Sequence, residues 1–545
     1  MWASSMTMNT QLFRTTAISV VAVAAIAAAL RLASRLPQRL ADGLKSSWED
    51  SAHTALGRQI NARAARHPGL SGVHLLADAH DAFAARMLLL KHAERSVDLQ
   101  YYIWHGDRTG TLMLEAVYKA AERGVHVRLL LDDNGISGLD PVLSALDSHP
   151  NVEIRLFNPF RIRFPKALGF VTDFGRLNRR MHNKSFTVDG AVTIVGGRNI
   201  GDEYFGAQDG GLFADLDVMA IGAVVPHVVR DFERYWTCAS AYPAWQILPR
   251  ASIRVIRRLV TRASIVEQDP WARAFVERLA TLPIIRDLME GDIDLIWCPV
   301  RMLSDDPAKA LGIADDNGLL AGKLEAVIGQ PERELGIIAG YFVPGERGTR
   351  TLADLSRRGI AVSVLTNAYA ANDVAMVHAG YAPARMPLLK AGVSLFELCG
   401  DAGLPSKRDR RRGARLGIGS KLRGSGTGSS AALRSHASTL HAKTFTVDRT
   451  RLFIGSFNFD PRSFDLNTEM GFVIDSPELA GLAADTLARD VPARAYRLSL
   501  SENGAINWIE HAAERSITHV REPGMRFIDH AIVGLGRMLP IQWLL

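Results

Sequence analysis

The sequence predicts an α/β protein made of two similar halves, each a mixed, mostly parallel β-sheet flanked by helices. Three observations support this class. The chain has 545 residues, more than one ordinary domain requires. The stretch MHNKSFTVDG (181–190) returns as LHAKTFTVDR (440–449), with His, Lys and Asp in the same register. A similar order of strand-like and helix-like segments precedes both copies, which indicates a duplicated unit.

The first half begins with an alternating strand-like run, continues with an amphipathic helix that ends at a glycine, and adds two strands. These segments are SVDLQYYIW (96–104), LMLEAVYKAAERG (112–124), VHVRLLLDDNG (125–135) and NVEIRLFNP (151–159). The second half repeats this order in LGIIAGYFVP (335–344), RTLADLSRRG (350–359), IAVSVLTN (360–367) and GVSLFELCG (392–400). Strands that alternate with helices predict parallel pairing.

The expected domain organisation follows from this repeat. We place the halves at 70–240 and 291–490, with a basic helical linker at 241–290 between them. Residues 1–45 form an N-terminal hydrophobic segment, and residues 491–545 an amphipathic, interfacial C-terminal region that ends near Trp543.

Composition narrows the class of protein. A hydrophobic fraction of 47% and a charged fraction of 22% are those of a folded chain. The net charge of +7 favours an anionic partner but does not choose between nucleic acid and phospholipid. The three cysteines form no CxxC pair, so neither a disulfide framework nor a zinc knuckle is indicated.

The N-terminus contains an uncharged apolar stretch, Thr15 to Leu30, bounded by Arg14 and Arg31. A spanning helix needs about 20 apolar residues, so this stretch is short. It fits a membrane anchor and the core of a cleaved signal peptide about equally well. Both interpretations place the chain at or across a membrane.

Three basic segments could meet an anionic surface. In ILPRASIRVIRRLVTRA (247–263) five arginines share one arc of a helical wheel, and apolar residues share the other. The segments 160–180 and 406–430 precede the two histidines and are also basic. Each segment is compatible either with a solvated protein surface or with contact to anionic lipid or substrate.

The repeated stretch carries the chemistry. His182 and Lys184 are two residues apart, so they share a face of an extended strand, as do His441 and Lys443. Asp189 and Asp448 follow each pair near a hairpin turn. The sequences GGRN and GSFN then bring Asn199 and Asn458, each 17 residues after its histidine. Because lysines are almost never buried unpaired, two such copies indicate function rather than packing.

These residue types suit a phosphodiester. Lysine and asparagine donors can hold the equatorial phosphate oxygens. One histidine can attack phosphorus, and the other can protonate the leaving alkoxide and then deprotonate the acceptor. The motif brings no cluster of carboxylates around the phosphate, so neither a metal nor another cofactor is expected. Asp189 and Asp448 could fix a histidine tautomer or stiffen the hairpin.

The pattern HxKxxxxD followed by G-[GS]-x-N, present twice, resembles the phospholipase D superfamily. The resemblance implies that two α/β halves meet at a pseudo-twofold interface, and that the reaction proceeds in two metal-free steps through a phosphohistidine. It carries over to His182, Lys184, Asp189, Asn199, His441, Lys443, Asp448 and Asn458. RSFDLNTE implies that Glu469 orients a histidine, and FADLDV implies Asp217 as its counterpart.

A finer resemblance is to bacterial cardiolipin synthases of the C type, carried by GGRNIGDEYFGA, LFADLDVMAIG, RDFERYWTCASAYP, YFVPGERG and LPIQWLL. It implies transfer of a phosphatidyl group to phosphatidylglycerol, with phosphatidylethanolamine as a possible donor, at the bacterial inner membrane. It implies a membrane-surface partner and no nucleic acid, and no protein partner can be inferred. The alternatives are a hydrolytic phospholipase D, a phosphodiesterase nuclease and a non-catalytic binding protein.

Overall fold

The structure is a computed structural model of the 545-residue chain. It describes residues 52–207, 213–269, 293–372, 375–399, 439–512 and 515–526, together with several positions between 21 and 39 and residues 272, 287 and 529. Most of the Thr15–Leu30 stretch, the basic segment 406–430 and nearly all of the tail from Met525 lie outside the described residues. In the part of the chain that is described, no helix has the length and apolarity needed to cross a bilayer.

The first half is built on a nine-stranded sheet with the order β10-β1-β8-β6-β5-β2-β3-β4-β9. Its strands are β1 (Ser71–Leu76), β2 (Ser96–Ile103), β3 (His126–Gly135), β4 (Val152–Phe157), β5 (Ser185–Val188), β6 (Val192–Gly196), β8 (Asp217–Gly222), β9 (Ala241–Pro243) and β10 (Ile296–Cys298). A short strand, β7 (Phe213–Ala214), lies outside this sheet.

The second half is built on a ten-stranded sheet with the order β11-β18-β17-β16-β12-β13-β14-β19-β20-β21. Its strands are β11 (Val300–Ser304), β12 (Glu334–Ala339), β13 (Ala361–Asn367), β14 (Ser394–Leu398), β16 (Lys443–Val447), β17 (Arg451–Gly455), β18 (Met470–Asp475), β19 (Ala495–Leu500), β20 (Ile506–Ala512) and β21 (Arg515–His519). The remaining strand, β15 (Thr439–Leu440), pairs with β7 of the first half.

The duplicated α/β architecture is confirmed, but the sheets are not mostly parallel. Parallel pairing is confined to β2-β3-β4 and β12-β13-β14, where a helix connects β2 to β3 and β12 to β13. The hairpins β5-β6 and β16-β17 that follow each histidine add antiparallel strands beside these trios. A tight turn can join only antiparallel neighbours, so the repeated motif itself makes each sheet mixed.

Helices cover both sheets. Those described are α1 (Ala55–Ala64), α2 (Ala79–His92), α3 (Arg108–Glu122), α4 (Asp140–Leu146), α5 (Ala167–Leu177), α6 (Asp202–Phe205), α7 (Val225–Thr237), α8 (Ala244–Ile247), α9 (Arg254–Glu267), α10 (Leu320–Ile328), α11 (Gly345–Arg357), α12 (Ala375–Lys390), α13 (Pro461–Asp465) and α14 (Pro477–Asp485). Each half has its own large apolar core.

The two halves meet through apolar side chains of equivalent strands. Val195 and Val218 of the first sheet share one buried cluster with Ile454 and Phe472 of the second. These residues lie on the strands that follow the histidine-bearing segments. Burial of this cluster therefore brings the two copies of the repeated motif together.

The domain boundaries differ from those expected. β10 belongs to the first sheet although it follows the linker, so the second sheet begins at β11. At the other end, β19 to β21 extend the second sheet beyond residue 490. Both segments join their sheets through backbone hydrogen bonds at the edge, and amino-acid composition does not reveal such pairing.

The basic helix of the linker region is α9, and it packs on α3 and α4 of the first half. Ile256, Leu259 and Ala263 are buried in this contact, whereas Ile253 is 64% and Val260 37% exposed. The apolar arc predicted from the sequence is therefore only partly buried. Its outward side combines apolar residues with exposed arginines.

Candidate active site

Each histidine precedes a hairpin whose turn is held by the motif aspartate. Asp189 and Asp448 have positive φ angles of 51° and 52°, a conformation that Asp tolerates better than most residues. The Asp189 carboxylate accepts hydrogen bonds from the backbone N–H groups of Glu94, Arg95 and Ser96 at 2.8–3.1 Å. It therefore fixes the entry to β2.

Asp448 has the same structural role in the second half. Its carboxylate accepts hydrogen bonds from the backbone N–H groups of Glu332, Arg333 and Glu334 at 2.7–3.2 Å. The stiffening interpretation of these aspartates is thus the one the geometry supports. The alternative, that either one orients a motif histidine, is wrong, because the histidines have other carboxylate partners.

His182 of the first half is held by Glu469 of the second. Its Nδ1 lies 2.8 Å from Glu469 Oε2. The Ser456 and Ser463 hydroxyls donate to the same carboxylate at 2.5 and 2.8 Å. The backbone N–H of His182 also donates to Thr468 O at 2.8 Å. Glu469 therefore makes the direct contact with a histidine that its predicted orienting role requires, and this contact crosses the interface between the halves.

His441 of the second half is held in the same way by a carboxylate of the first. Its Nδ1 lies 2.5 Å from Asp215 Oδ2. The parallel pairing of β15 with β7 sets this register, and the backbone N–H of His441 donates to Ala214 O at 2.8 Å. A Cβ on Gly197 would lie 2.1 Å from Asp215 Oδ1, so the glycine makes room for the carboxylate.

The expectation that Asp217 orients a histidine is wrong. Asp217 instead accepts a hydrogen bond from Arg86 Nη2 at 2.8 Å and lies 3.4 Å from Arg198. The strand register explains the error, because Asp217 pairs with Gly196 as Gly471 pairs with Gly455. Glu469 and Asp215 both stand two residues before that pair.

The two lysines are buried beside their histidines, being 1% and 2% exposed. Lys184 Nζ donates to the His182 carbonyl at 2.6 Å. Lys443 Nζ donates to the His441 carbonyl and lies 2.9 Å from His441 Nδ1. Each His–Lys pair therefore converges on one side of its segment, as the two-residue spacing predicts.

The site is buried and contains two lysines and two histidines. Burial and the charges of Lys184 and Lys443 hold the pKa of His182 well below 6.5. Burial also lowers the pKa of Lys184 to about 7, although Glu469 opposes this shift. Because Lys443 and His441 act on the pKa of His182, both copies of the motif contribute to one electrostatic site.

The pKa values of the two carboxylates are shifted in opposite directions. Burial raises the pKa of Glu469 to about 7, although Lys184 and the two serine hydroxyls oppose it. Burial alone would also raise the pKa of Asp215, but His441 and Lys443 hold it below its usual range. Burial and Lys443 lower the pKa of His441, and the Asp215 charge opposes them. Asp215 thus favours an imidazolium at His441 more than Glu469 does at His182.

The two asparagines take different positions. Asn199 is fully buried; its Oδ1 accepts from the Ile103 N–H at 3.1 Å and its Nδ2 donates to Tyr204 Oη at 3.0 Å. Tyr204 in turn places its ring 5.3 Å from that of His441. Asn458 is 6% exposed and donates its backbone N–H to Ser463 Oγ. Phosphate binding by these amides stays a prediction.

Sequence reasoning missed several residues around the histidines. Asp215, Ser456 and Ser463 are described above, and Tyr102 places its ring 4.9 Å from that of His182. The Asp215 signal was present in the sequence, because DLD (215–217) aligns with EMG (469–471) once the strands are in register. The serines and tyrosine carry no such signal, since their approach depends on packing between segments distant in sequence.

A possible metal site lies apart from the histidine pair. His105, Asp107 and Glu203 bring ligand atoms within 4.8 Å of one another, and they form the one such group among the residues that the structure describes. Asp107 already accepts from the backbone N–H groups of Gly110 and Asp202. We therefore assign this group a structural part at the start of α3.

A duplicated α/β unit that brings two His–Lys pairs to one buried site, with each histidine held by a carboxylate of the opposite half, defines an enzyme of the phospholipase D superfamily. Comparisons with known proteins agree. Residues 87–236 and 324–491 match the family described as cardiolipin synthase, phospholipase D-like domain. The chain therefore belongs to the family of cardiolipin synthases with phospholipase D-like domains.

Individual relatives extend this finding. The chain is 48% identical over 483 residues to cardiolipin synthase C of Escherichia coli K12, covering 88% of this chain and 97% of the relative. It is 30% identical over 422 residues to the major cardiolipin synthase ClsA of Bacillus subtilis 168, covering 77% and 69%. The crystal structure of phosphatidylserine synthase from Haemophilus influenzae shares the fold, with a TM-score of 0.52, 15% identity and coverage of 82% and 92%.

Proposed function

We propose that this protein is a phosphatidyltransferase that makes cardiolipin by moving a phosphatidyl group onto the glycerol hydroxyl of phosphatidylglycerol. The observation that carries the proposal is the crossed arrangement of the site, in which Glu469 holds His182 and Asp215 holds His441. Two histidines and two buried lysines suit a double displacement at phosphorus. The 48% identity to a cardiolipin synthase C supports the choice of phospholipid as substrate.

The electrostatics support different parts for the two histidines. Burial and two neighbouring lysines keep His182 neutral, as a nucleophile must be. Its Nδ1 is engaged by Glu469, which leaves Nε2 for attack on phosphorus. The ionised Asp215 stabilises the protonated form of His441, which suits the general acid.

The reaction then proceeds in two steps. His182 Nε2 forms a bond to phosphorus while the bond to the leaving alkoxide breaks, and His441 donates a proton to that alkoxide. In the second step, neutral His441 removes the proton from the acceptor hydroxyl, whose oxygen attacks phosphorus and releases His182. Lys184 and Lys443 balance the charge on the equatorial oxygens in both steps.

Incubation of the full chain in vesicles with labelled phosphatidylglycerol, with and without phosphatidylethanolamine, tests the proposal. We expect labelled cardiolipin, with the donor identified by the released headgroup, and we expect activity to survive excess EDTA. Phosphatidate as the main product would favour hydrolysis instead. Failure of His182→Ala to abolish either product would contradict the assigned site.

The donor preference and the membrane location are further parts of the proposal. Phosphatidylethanolamine as donor rests on the resemblance to the C-type synthases, and the bacterial inner membrane is where such substrates reside. A nuclease or a non-catalytic binding protein is disfavoured, because both His–Lys pairs are intact and the chain belongs to a cardiolipin synthase family.

A further inference from the structure

Helix α5 carries an exposed apolar face directly before the first catalytic segment. Phe164 is 92% exposed, Val171 75%, and Leu168 and Phe174 38% each. Leu168 and Val171 are three residues apart and share one side of α5. Phe164 lies in the turn before the helix, and Phe174 follows a break in the helical geometry. We call these four residues the α5 ridge. An apolar group of this kind on a protein surface indicates an interaction site.

Two cationic side chains of the same segment turn inward. Arg163 pairs with Asp133 and Asp140, and Lys166 Nζ lies 3.0 Å from Asp133 Oδ1. The Asp133 side chain is fully buried. The sequence of 160–180 predicts a basic surface, but these cations face the protein body and the apolar side chains face outward. Exposing apolar side chains to water while removing cations from water is unfavourable unless another apolar surface covers the exposed side chains.

The ridge is held firmly from below. Phe170 packs its ring 5.2 Å from that of Phe160, and Gly169 is buried so closely that a Cβ there would lie 3.0 Å from Leu177 Cδ1. Phe160 and Leu177 are both buried in the protein body. The exposed side chains therefore stand on a packed support, which would present them in a fixed orientation.

The segment that follows α5 connects the ridge to the active site. Asn178, which follows α5, accepts a hydrogen bond from Arg462 Nη1 at 2.7 Å. Two residues later, Arg180 O accepts from the backbone N–H of Thr468, the residue before Glu469. His182 comes next along this segment. The ridge is thus joined to the catalytic histidine by a short, hydrogen-bonded connection.

We propose that the α5 ridge inserts into the interfacial layer of a phospholipid bilayer and holds the segment that leads to His182 against the headgroups. The inference rests on the proposed function, since a diacyl substrate would then reach His182 without leaving the bilayer. Its apolar side chains match the acyl boundary, and exposed Arg161 at the edge of the ridge matches lipid phosphate. Binding through this ridge depends mainly on apolar area, so it resists salt.

An environment-sensitive fluorophore tests insertion without any turnover. Val171→Cys and, as the matched control, Val520→Cys are labelled in the full chain; Val520 is 76% exposed directly after β21, the edge strand of the second sheet. The unsubstituted protein, labelled in parallel, reports any signal from Cys238, Cys298 and Cys399. With phosphatidylglycerol–phosphatidylcholine vesicles at high salt, we expect the probe at 171 to brighten and to be quenched by spin-labelled lipid, and the probe at 520 to do neither.

A second measurement links the ridge to catalysis. Phe164→Ser with Val171→Ser is compared with Ile517→Ser and Val520→Ser, using vesicle substrate and short-chain monomeric phosphatidylglycerol. Loss of two inserted apolar side chains should lower turnover on vesicles roughly 10-fold or more, while turnover on monomers stays the same. The control pair should change neither. If the unsubstituted enzyme turns over no lipid, the proposed function fails, and the fluorescence result still stands on its own.

Three outcomes would overturn the ridge proposal. A probe at 171 that ignores vesicles shows that the ridge does not insert. A probe that is already bright and shielded without vesicles, at every protein concentration, shows that another part of this chain covers the ridge. Brightening that grows with protein concentration in the absence of lipid shows that a second copy of the chain is the partner.

Discussion

At the scale of single residues, the site depends on contacts that cross between the halves. Glu469 and Asp215 each hold the histidine of the other half through Nδ1. A carboxylate at Nδ1 favours the tautomer that carries its proton on Nδ1 and leaves Nε2 for chemistry, as in other enzymes where a carboxylate fixes a histidine tautomer. The two carboxylates are not equivalent, and this difference leads to three predictions.

The first prediction separates the nucleophile from the general acid. With a phosphatidyl ester of p-nitrophenol, whose leaving group needs little protonation, His441→Ala should release about one equivalent of nitrophenol in a burst and then stall. His182→Ala should give no burst. Stopped-flow absorbance measures the burst, and detection of labelled protein after a denaturing quench at neutral pH, which spares the acid-labile phosphohistidine, measures the intermediate. A burst in His182→Ala but not in His441→Ala would reverse the assignment.

The second prediction concerns the two neighbouring aspartates of the first half. Asp215→Asn removes the charge that stabilises His441 as an imidazolium, so kcat per folded molecule should fall by about 10²-fold or more. Because His441 and Lys443 hold the pKa of Asp215 below its usual range, the free energy of unfolding at neutral pH should fall as well. Asp217→Asn breaks the buried pair with Arg86 and should lower the free energy of unfolding by ~3 kcal/mol. Steady-state kinetics with chemical denaturation measure both. An unstable Asp215→Asn with normal kcat would contradict this division.

The third prediction is a bell-shaped pH profile of kcat/KM with its maximum near neutral pH. The pKa of Lys184 is lowered to about 7, so its charge, which binds phosphate, is lost as pH rises through that value. The pKa of Glu469 is raised to about 7, so its carboxylate is lost as pH falls. Because Lys184 and Glu469 interact, the apparent pKa values of the two limbs of the profile belong to the pair and not to either residue alone. Glu469→Gln should remove the acid limb, and an unchanged acid limb would argue against this source.

At the scale of elements, the repeated hairpin owes its shape to the aspartate that ends each motif. Asp189 and Asp448 adopt positive φ and bind three consecutive backbone N–H groups each. Those N–H groups lead into β2 and β12, the central strands on which the hairpins pair. The aspartate is therefore a structural clamp within a catalytic motif.

Asp189→Asn is the prediction at this scale. It keeps a residue that tolerates positive φ but removes the charge from three buried contacts, so the unfolding free energy should fall by about 1–3 kcal/mol. Turnover per folded molecule should be nearly normal. Thermal unfolding and active-site titration measure the two effects. A stable Asp189→Asn with lost turnover would show that this carboxylate takes part in the reaction.

At the scale of the whole molecule, we predict that membrane contact involves more than the N-terminus. Helix α9 lies on the first half with Arg254, Arg257 and Arg258 exposed beside Ile253. Exposed arginines with apolar neighbours suit anionic headgroups. The α9 surface and the α5 ridge belong to the same half, which makes that half the expected membrane-facing one.

Deletion of residues 1–35 should therefore leave partial binding to vesicles, stronger on anionic than on neutral lipid and weakened by salt. In that background, Arg257→Glu with Arg258→Glu should remove most of the anionic preference. Arg357→Glu with Arg358→Glu, the same dipeptide on α11, serves as the control. Vesicle sedimentation decides. Absence of binding after the deletion would make the N-terminal segment the sole attachment.

The sequence by itself determined the duplicated unit, the strand and helix order and the two His–Lys pairs. Each of these depends on local spacing: a period of two brings His and Lys together, and a repeat of the same spacing shows the duplication. The orienting role of Glu469 was implied by the resemblance to the phospholipase D superfamily. The match between segments such as 96–104 and β2 reflects the same local rules.

Only the tertiary structure decided which carboxylate serves which histidine, and that Asp215 rather than Asp217 does so. The crossed pairs join segments 226 and 287 residues apart, and strand register, not sequence proximity, selects them. The sequence also did not reveal the antiparallel strands at the edges of both sheets or the outward apolar face of α5. Pairing partners and the direction of a side chain are set by what packs around a segment, which spacing along the chain does not encode.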